Sequence, residues 1–249
     1  LEIAFIRIGV PTAIDGDIDS LVDNLGVQQP TYMCAVPRIF EKVYAKVVAA
    51  GLEARGLKGK LFAWALRLND DFATRSIEGK PIPFGLELQL ALARRLVFSK
   101  INKKMSATFG GRIRHFISGG APLPKQMAYF FANVGFVILE GYGLTETSAA
   151  TCVNRPERNK IGTVGPALPG TELRIADDGE ILIRGPGVMR EYWKRGDATI
   201  EVLGPDGWFA TGDIGQLDAD GYLTITDRKK DIIVTAGGKN IAPQPIENA

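Results

Sequence analysis

The chain has 249 residues, 45% of them hydrophobic, enough to bury a sizeable core and more than one small domain needs. Its 30 Lys and Arg nearly balance 28 Asp and Glu, and the net charge of +2 leaves no global field to attract nucleic acid. No apolar run approaches the ~18 residues of a membrane span, LEIAFIRIGV at 1–10 lacks a signal peptide's architecture, and Cys34 and Cys152 have no metal-ligand spacing. Reduced, structural thiols in a reducing cytoplasm fit this pattern best.

In chain order, the first segment reads as a strand, a helix near Asp17 to Leu25, and a strand from Thr31 to Val36 closed by Pro37. From Arg38 to Met105 apolar residues recur at helical spacing, for example Ile39, Val43 and Val47, then Leu61, Trp64 and Leu68, then Leu86 and Leu90. Three helices fit, separated in part by GKPIPFG at 79–85. A strand IRHFIS ends at Ser118, a glycine turn follows, a helix spans Lys125 to Asn133, and GFVIL provides a short buried strand. Beyond Gly162 short strands and turn signals dominate: TELRIA and EILIRG around Asp178-Gly179, then IGQLD and YLTIT around 219–221. The charged run DRKKD at 227–231 reads as a linker, and a helix would start near Ile246. The chain begins without Met and in mid-pattern, as a piece of a longer protein does.

Chemistry concentrates in GYGLTET, 141–147, directly after the GFVIL strand. Ligands of open α/β sheets bind at the C-terminal ends of strands. There Gly141 and Gly143 would let backbone approach a ligand, Tyr142 would offer an aromatic face, Thr145 a hydroxyl donor, and Glu146 the hard oxygen that magnesium prefers. A glycine turn with a Thr cap would use the same residues. A second glycine turn, SGGAPL at 118–123, follows its own strand. GWFATGD ends on Asp213, whose carboxylate can accept both hydroxyls of a ribose, and Arg228 adds a planar cation. Each alone is an ordinary turn or a solvated face; their joint occurrence in this order is the informative feature. The single histidine, His115, lies within a strand and reads as structural.

These motifs, with GTVGPALPG at 162–170 and GEILIRGPGVMREYW, resemble those of the adenylate-forming enzymes: acyl-CoA synthetases, firefly-luciferase-like enzymes and peptide-synthetase adenylation domains. VPRIFEK at 36–42, the helical stretch before SGGAPL, and GGKNIAPQPIEN at 237–248 make the chain most similar to a long-chain fatty-acid CoA ligase. The resemblance implies an α/β fold: the large domain of an adenylate-forming enzyme, with mixed sheets flanked by helices and a small antiparallel β region, plus the start of a small C-terminal α+β domain. Residues 1–227 would belong to the large domain, with a helical insertion at 38–105 and a β-rich part at 162–227, and residues 228–249 to the hinge and small domain.

It further implies that Gly120 and the loop Glu140, Gly141, Tyr142 and Gly143 contact the adenine, Tyr142 stacking on it, with Gly119, Ala121, Pro122 and Leu144 also among the nucleotide-binding residues. Thr145 would hold the α-phosphate, Glu146 magnesium, and Asp213 and Arg228 the ribose, while Lys230 would be the pivot of the small domain and Gly237 and Gly238 would line the CoA channel. ATP or AMP, Mg2+ and CoA are the implied cofactors and substrates, with a long-chain fatty acid as the acyl donor. The family's Ser/Thr/Gly-rich phosphate loop would precede residue 1 and its adenylation lysine would follow Ala249, so this chain alone is expected not to form acyl-adenylate efficiently. An acyl-AMP ligase serving a carrier protein, or a non-catalytic nucleotide- or lipid-binding module, would share most of these motifs. ARRLVFSKINKK at 93–104 reads as a basic amphipathic helix able to touch an anionic membrane, or as a solvated face.

Overall fold

A computed structural model describes residues 7–15, 21–229, 233–234 and 240–241. Two compact units divide the chain between Leu139 and Glu140.

The first unit is α/β. Helix α1 (Leu21–Gln28) precedes strand β1 (Tyr32–Ala35), which pairs in parallel with β2 (His115–Ser118), Tyr32 opposite His115 and Ala35 opposite Ser118. Between the two strands come α2 (Pro37–Leu52), α3 (Leu57–Ile77), α4 (Phe84–Ala93), a π-helical turn at Arg94–Phe98, and α5 (Ser99–Thr108). The helical stretch expected from the apolar spacing is thus present, but its third helix is interrupted. Pro37 starts α2 as well as ending the strand region, because a first-turn position needs no N–H donor.

Helix α6 (Lys125–Val134) runs after the SGGAPL turn and stops at Gly135, whose φ of 100° is left-handed. The amide of Phe136 then reaches back to the carbonyl of Phe131 at 2.8 Å, closing the helix end. The core of this unit is aromatic. Phe40 meets Phe116 edge-on at 5.5 Å, Phe109 meets Phe116 at 5.4 Å, and Tyr44 meets Phe130 at 4.9 Å. Strand β3 (Val137–Leu144) starts in this unit and continues into the second.

That continuation corrects one expectation. The strand does not end before GYGLTET; it runs through Leu144, and Gly141 to Leu144 pair antiparallel with β4 (Ala149–Val153). Only Thr145–Thr147 form a turn, a short 3-10 segment. The second unit then adds an antiparallel sheet ordered β5 (Glu172–Ile175), β6 (Glu180–Arg184), β7 (Phe209–Leu217) and β8 (Leu223–Arg228). Both expected hairpins are present. A helix absent from the sequence reading, α7 (Gly196–Val202), joins β6 to β7. DRKKD is also corrected in part: Asp227 and Arg228 close β8, so a linker could begin only after them. Two short strands, β9 (Ile233–Val234) and β10 (Asn240–Ile241), pair antiparallel. The core of this unit gathers Tyr142, Cys152, Ile181, Ile183 and Leu223. The expected first strand has no counterpart in the described residues 7–15; its earlier part and the helix start near Ile246 lie outside the described residues.

Candidate nucleotide site

Register places the first pair of functional groups. Strands β7 and β8 are antiparallel, and Asp213 stands directly opposite Arg228, so period-two alternation sends both side chains to one face. The Arg228 Nε lies 3.3 Å from Asp213 Oδ1. Asp213 Oδ2 accepts a hydrogen bond from the Tyr142 hydroxyl at 2.6 Å. Asp213 is 4% exposed, and each carboxylate oxygen is engaged, one by a cation and one by a phenol. A carboxylate oxygen has more than one acceptor direction, so both retain capacity for ribose hydroxyls.

A cavity of about 780 Å³ opens beside this pair. It is lined by Gly143 to Glu146, by Phe209 to Asp213, and by Glu180, Tyr192, Arg228 and Lys229 among others. Thr145 is exposed at its rim and Glu146 is half-buried. The Tyr192 hydroxyl donates to Glu146 Oε1 at 2.9 Å. Burial first, then this carboxylate, raises the Tyr192 pKa. Lys229 Nζ lies 2.7 Å from Asp178 Oδ2 and from Glu180 Oε2, and Glu180 Oε1 accepts the amide of Gly212 at 2.8 Å. Hydrogen bonding to Asp178 first and to Glu180 second raises the Lys229 pKa, and the same ammonium lowers that of Asp178.

The turn carrying Thr145 and Glu146 is tied internally. Thr147 is buried and its Oγ1 accepts the amide of Leu144 at 2.9 Å and the hydroxyl of Thr151 at 2.9 Å. Ser148 and Ala149 follow with φ of 55° and 82°, a left-handed pair of non-glycine residues that surrounding contacts must hold in place. Gly143 is required by this arrangement. A Cβ there would come 1.6 Å from the carbonyl oxygen of Ala149, so its small size serves strand pairing.

The expected site residues therefore divide. Gly143, Leu144, Thr145, Glu146, Asp213 and Arg228 come together around one cavity in one unit. Tyr142 is 8% exposed: its ring joins the core, and burial, then its bond to Asp213, raises its pKa. Gly141 opposes Val153 in the sheet, and Glu140 uses its backbone carbonyl to accept the Asn154 amide at 2.9 Å, with Oε1 3.4 Å from the Gly162 amide. Gly119, Gly120, Ala121 and Pro122 form a turn after β2 in the first unit, with Gly120 at φ 83°. Lys230, Gly237 and Gly238 lie outside the described residues.

Tyr192, Lys229, Glu180 and Thr211 were missed as site residues. All sit inside or beside motifs already singled out, but only pairing across the sheet shows that they share the cavity. No group of three or more His, Cys, Asp and Glu side chains clusters among the described residues. A magnesium ion bound largely through substrate phosphates needs only one or two carboxylates, so Glu146 on the cavity wall suits it as a protein ligand.

Residues 6–193 match the model of a family described as AMP-binding enzyme. The long-chain-fatty-acid–CoA ligase FadD15 of Mycobacterium tuberculosis is 44% identical over 249 residues, 100% of this chain and 40% of the relative. Long chain acyl-CoA synthetase 4 of Arabidopsis thaliana is 34% identical over 267 aligned residues, covering 100% of this chain and 38% of the relative. The chain thus spans about two fifths of the length of these curated relatives. Among solved structures, ATP-bound MatB from Rhodopseudomonas palustris superposes with a TM-score of 0.61 and 27% identity, over 93% of this chain and 37% of that one. The AMP complex of o-succinylbenzoate coenzyme A synthetase from Bacillus subtilis, at 22% identity, TM-score 0.65 and coverage of 98% and 41%, shares the fold.

Proposed function

Because the chain belongs to the AMP-binding enzyme family, we propose that it carries the ribose- and phosphate-binding wall of an ATP-dependent ligase that activates long-chain fatty acids and transfers them to CoA. The observation that carries this reading is the convergence of Asp213, Arg228, Thr145 and Glu146 on one cavity, with Asp213 fixed by two partners. The acyl specificity rests on the names of the relatives.

In the proposed reaction the fatty carboxylate attacks the α-phosphorus of ATP, the bond to the bridging oxygen of pyrophosphate breaks, and an acyl-adenylate forms. The CoA thiol then attacks the acyl carbonyl and AMP leaves. Asp213 accepts the ribose hydroxyls, and Arg228, 3.3 Å from one of its oxygens, holds that carboxylate in orientation. Thr145 donates to an α-phosphate oxygen from the cavity rim. Magnesium held by Glu146 would neutralise charge on the phosphate oxygens when bound. Tyr142 contributes through its hydroxyl on Asp213, and base stacking would use what its packing leaves open. Glu140 to Leu144 would line the adenine pocket, Lys230 would act as the pivot, and Gly237 and Gly238 would flank the CoA arm.

The proposed location is the cytoplasm, with peripheral contact at the inner membrane face through 93–104. Among the described residues no helix is long and apolar enough to cross a membrane. Leu92 and Leu96 are exposed beside Arg95, Lys100 and Lys103, which supports such a contact. Arg94, also exposed, is tied to the helix packing as well, its guanidinium donating to Asn133 Oδ1 at 3.0 and 2.7 Å.

The test compares the complete protein with the Asp213→Ala variant. Palmitate-dependent exchange of pyrophosphate into ATP, and formation of a CoA thioester, should both fall at least tenfold in the variant. Thioester formation only on a phosphopantetheinylated carrier protein, and not on CoA, would refute the CoA assignment.

A further inference from the structure

The loop Gly187–Tyr192, which links β6 to the region of α7, is fastened to the Thr145–Ser148 turn at three points. The amide of Met189 donates to the carbonyl of Glu146 at 2.7 Å. The hydroxyl of Ser148 donates to the carbonyl of Gly187 at 2.8 Å. The hydroxyl of Tyr192 donates to Glu146 Oε1 at 2.9 Å. The loop lies so close that a Cβ on Gly187 would come 2.8 Å from the carbonyl oxygen of Thr147. The turn it grips carries the left-handed Ser148 and Ala149, a conformation that isolated chain would not keep. Tyr192 and Glu146 both line the cavity.

Two of these bonds fix backbone; the third fixes the direction of one carboxylate. A half-buried glutamate on a short turn has several rotamers, and only some aim its oxygens into the cavity. A phenol donating to Oε1 selects among them and leaves the other oxygen to face a cation. The anchor is itself held, since the amide of Tyr192 donates to Thr199 Oγ1 in α7 at 3.0 Å and Thr199 Oγ1 donates back to the carbonyl of Arg195 at 2.8 Å. This is the arrangement by which an outer hydrogen-bond donor orients a metal-binding carboxylate.

We propose that Tyr192 is a positioning residue for the divalent cation that accompanies the nucleotide, acting by holding Glu146 in its metal-binding orientation. The inference rests on the reading of Glu146 as the metal ligand. Removing the hydroxyl frees the Glu146 side chain, lowers metal affinity, and leaves contacts to the nucleoside untouched.

The experiment is calorimetry of ATP binding to the complete protein without fatty acid, once with manganese(II) and once with EDTA, for the wild type, Tyr192→Phe, Glu146→Gln and the double variant. The readout is the gain in ATP affinity that manganese confers. Tyr192→Phe should cut that gain about tenfold while leaving metal-free affinity within twofold. Glu146→Gln should cut it at least as much, and the double variant should be no worse than Glu146→Gln alone, because both substitutions disable one unit. If Glu146→Gln reduces the gain and Tyr192→Phe does not, Tyr192 has no such role and the reading of Glu146 stands. If Glu146→Gln leaves the gain intact, the reading of Glu146 fails and the inference with it. Equal losses with and without metal in Tyr192→Phe would also overturn it, since they would mark a general disturbance of the site.

Discussion

The hydroxyl of Tyr142 and the carboxylate of Asp213 are 2.6 Å apart in the interior of the second unit, and Arg228 closes on the other oxygen of the same carboxylate from the facing strand. Tyr142 is thereby a core residue and a site residue together. Its ring packs with Cys152, Ile181, Ile183 and Leu223, and its polar end sets the direction of Asp213. Tyr142→Phe keeps the packing and removes one partner from a buried carboxylate. Urea unfolding of the chain should show a loss of about 1–3 kcal/mol, and AMP affinity measured by calorimetry should fall with it.

Gly143 lies where strand β3 shifts register against β4, and a methyl group there would collide with the Ala149 carbonyl. Gly143→Ala should therefore unfold or distort the second unit even in the absence of nucleotide. Circular dichroism and limited proteolysis of the unliganded chain check this; a variant that folds normally and only binds nucleotide poorly would contradict it.

The thiol of Cys152 is buried, and desolvation pushes its pKa from 9.0 up to about 12. The unfolded chain releases this proton near the ordinary value while the folded chain keeps it, so stability is full below pH 9.0 and falls as pH rises from there toward about 12. Tyr142 acts with the same sign from its ordinary 10.0 upward. Urea midpoints should decline across this alkaline range, less steeply in Cys152→Ala. Native thiol titration at neutral pH should find the exposed Cys34 reacting, slowed by the raised pKa its partial burial gives, and Cys152 reacting only on unfolding.

Lys229 bridges Asp178 and Glu180 at the edge of the β5–β6 hairpin. The lowered pKa of Asp178 gives stability that is present above its ordinary 3.8 and is lost as pH falls through the lowered value. Lys229→Met should lower the urea midpoint at neutral pH, and the difference from wild type should shrink both in strong acid and at high salt. A difference independent of pH and salt would assign the effect to packing.

Asn133 sits at 6% exposure between Arg94 and the fully buried Asn69, to which it donates at 2.8 Å. Asn133→Ala should cost about 1–3 kcal/mol in urea unfolding, because it strands a buried amide. Charge reversal at Arg94 would disturb this same network, so liposome co-sedimentation should instead reverse Arg95, Lys100 and Lys103. Co-sedimentation with anionic vesicles unchanged by that reversal would reject the membrane contact.

Much of the fold was legible because local rules were not overridden. Apolar residues at helical spacing marked the helices between Pro37 and Thr108, and Asp178-Gly179 marked its hairpin. The errors have definite causes. GYGL was read as loop because two glycines weaken any strand signal, yet close pairing with β4 makes a glycine necessary at 143. Arg94 and Arg95 are neighbours in sequence and alike in charge, but only Arg94 lies over Phe72, 6.0 Å from its ring, and reaches Asn133.

The sequence by itself determined which chemical groups this protein has: the carboxylates, hydroxyls and guanidinium of GYGLTET, GWFATGD and DRKKD, and through their joint order the family. It could not determine which of them meet. Asp213 faces Arg228 because two strands pair in one register, and Tyr192 reaches Glu146 because a loop distant in sequence folds over a strained turn. Both are long-range pairings, set by packing and backbone hydrogen bonds that no local window of sequence contains. That tertiary layer also gave Tyr142 a second role, packing its ring into the core and aiming its hydroxyl at Asp213.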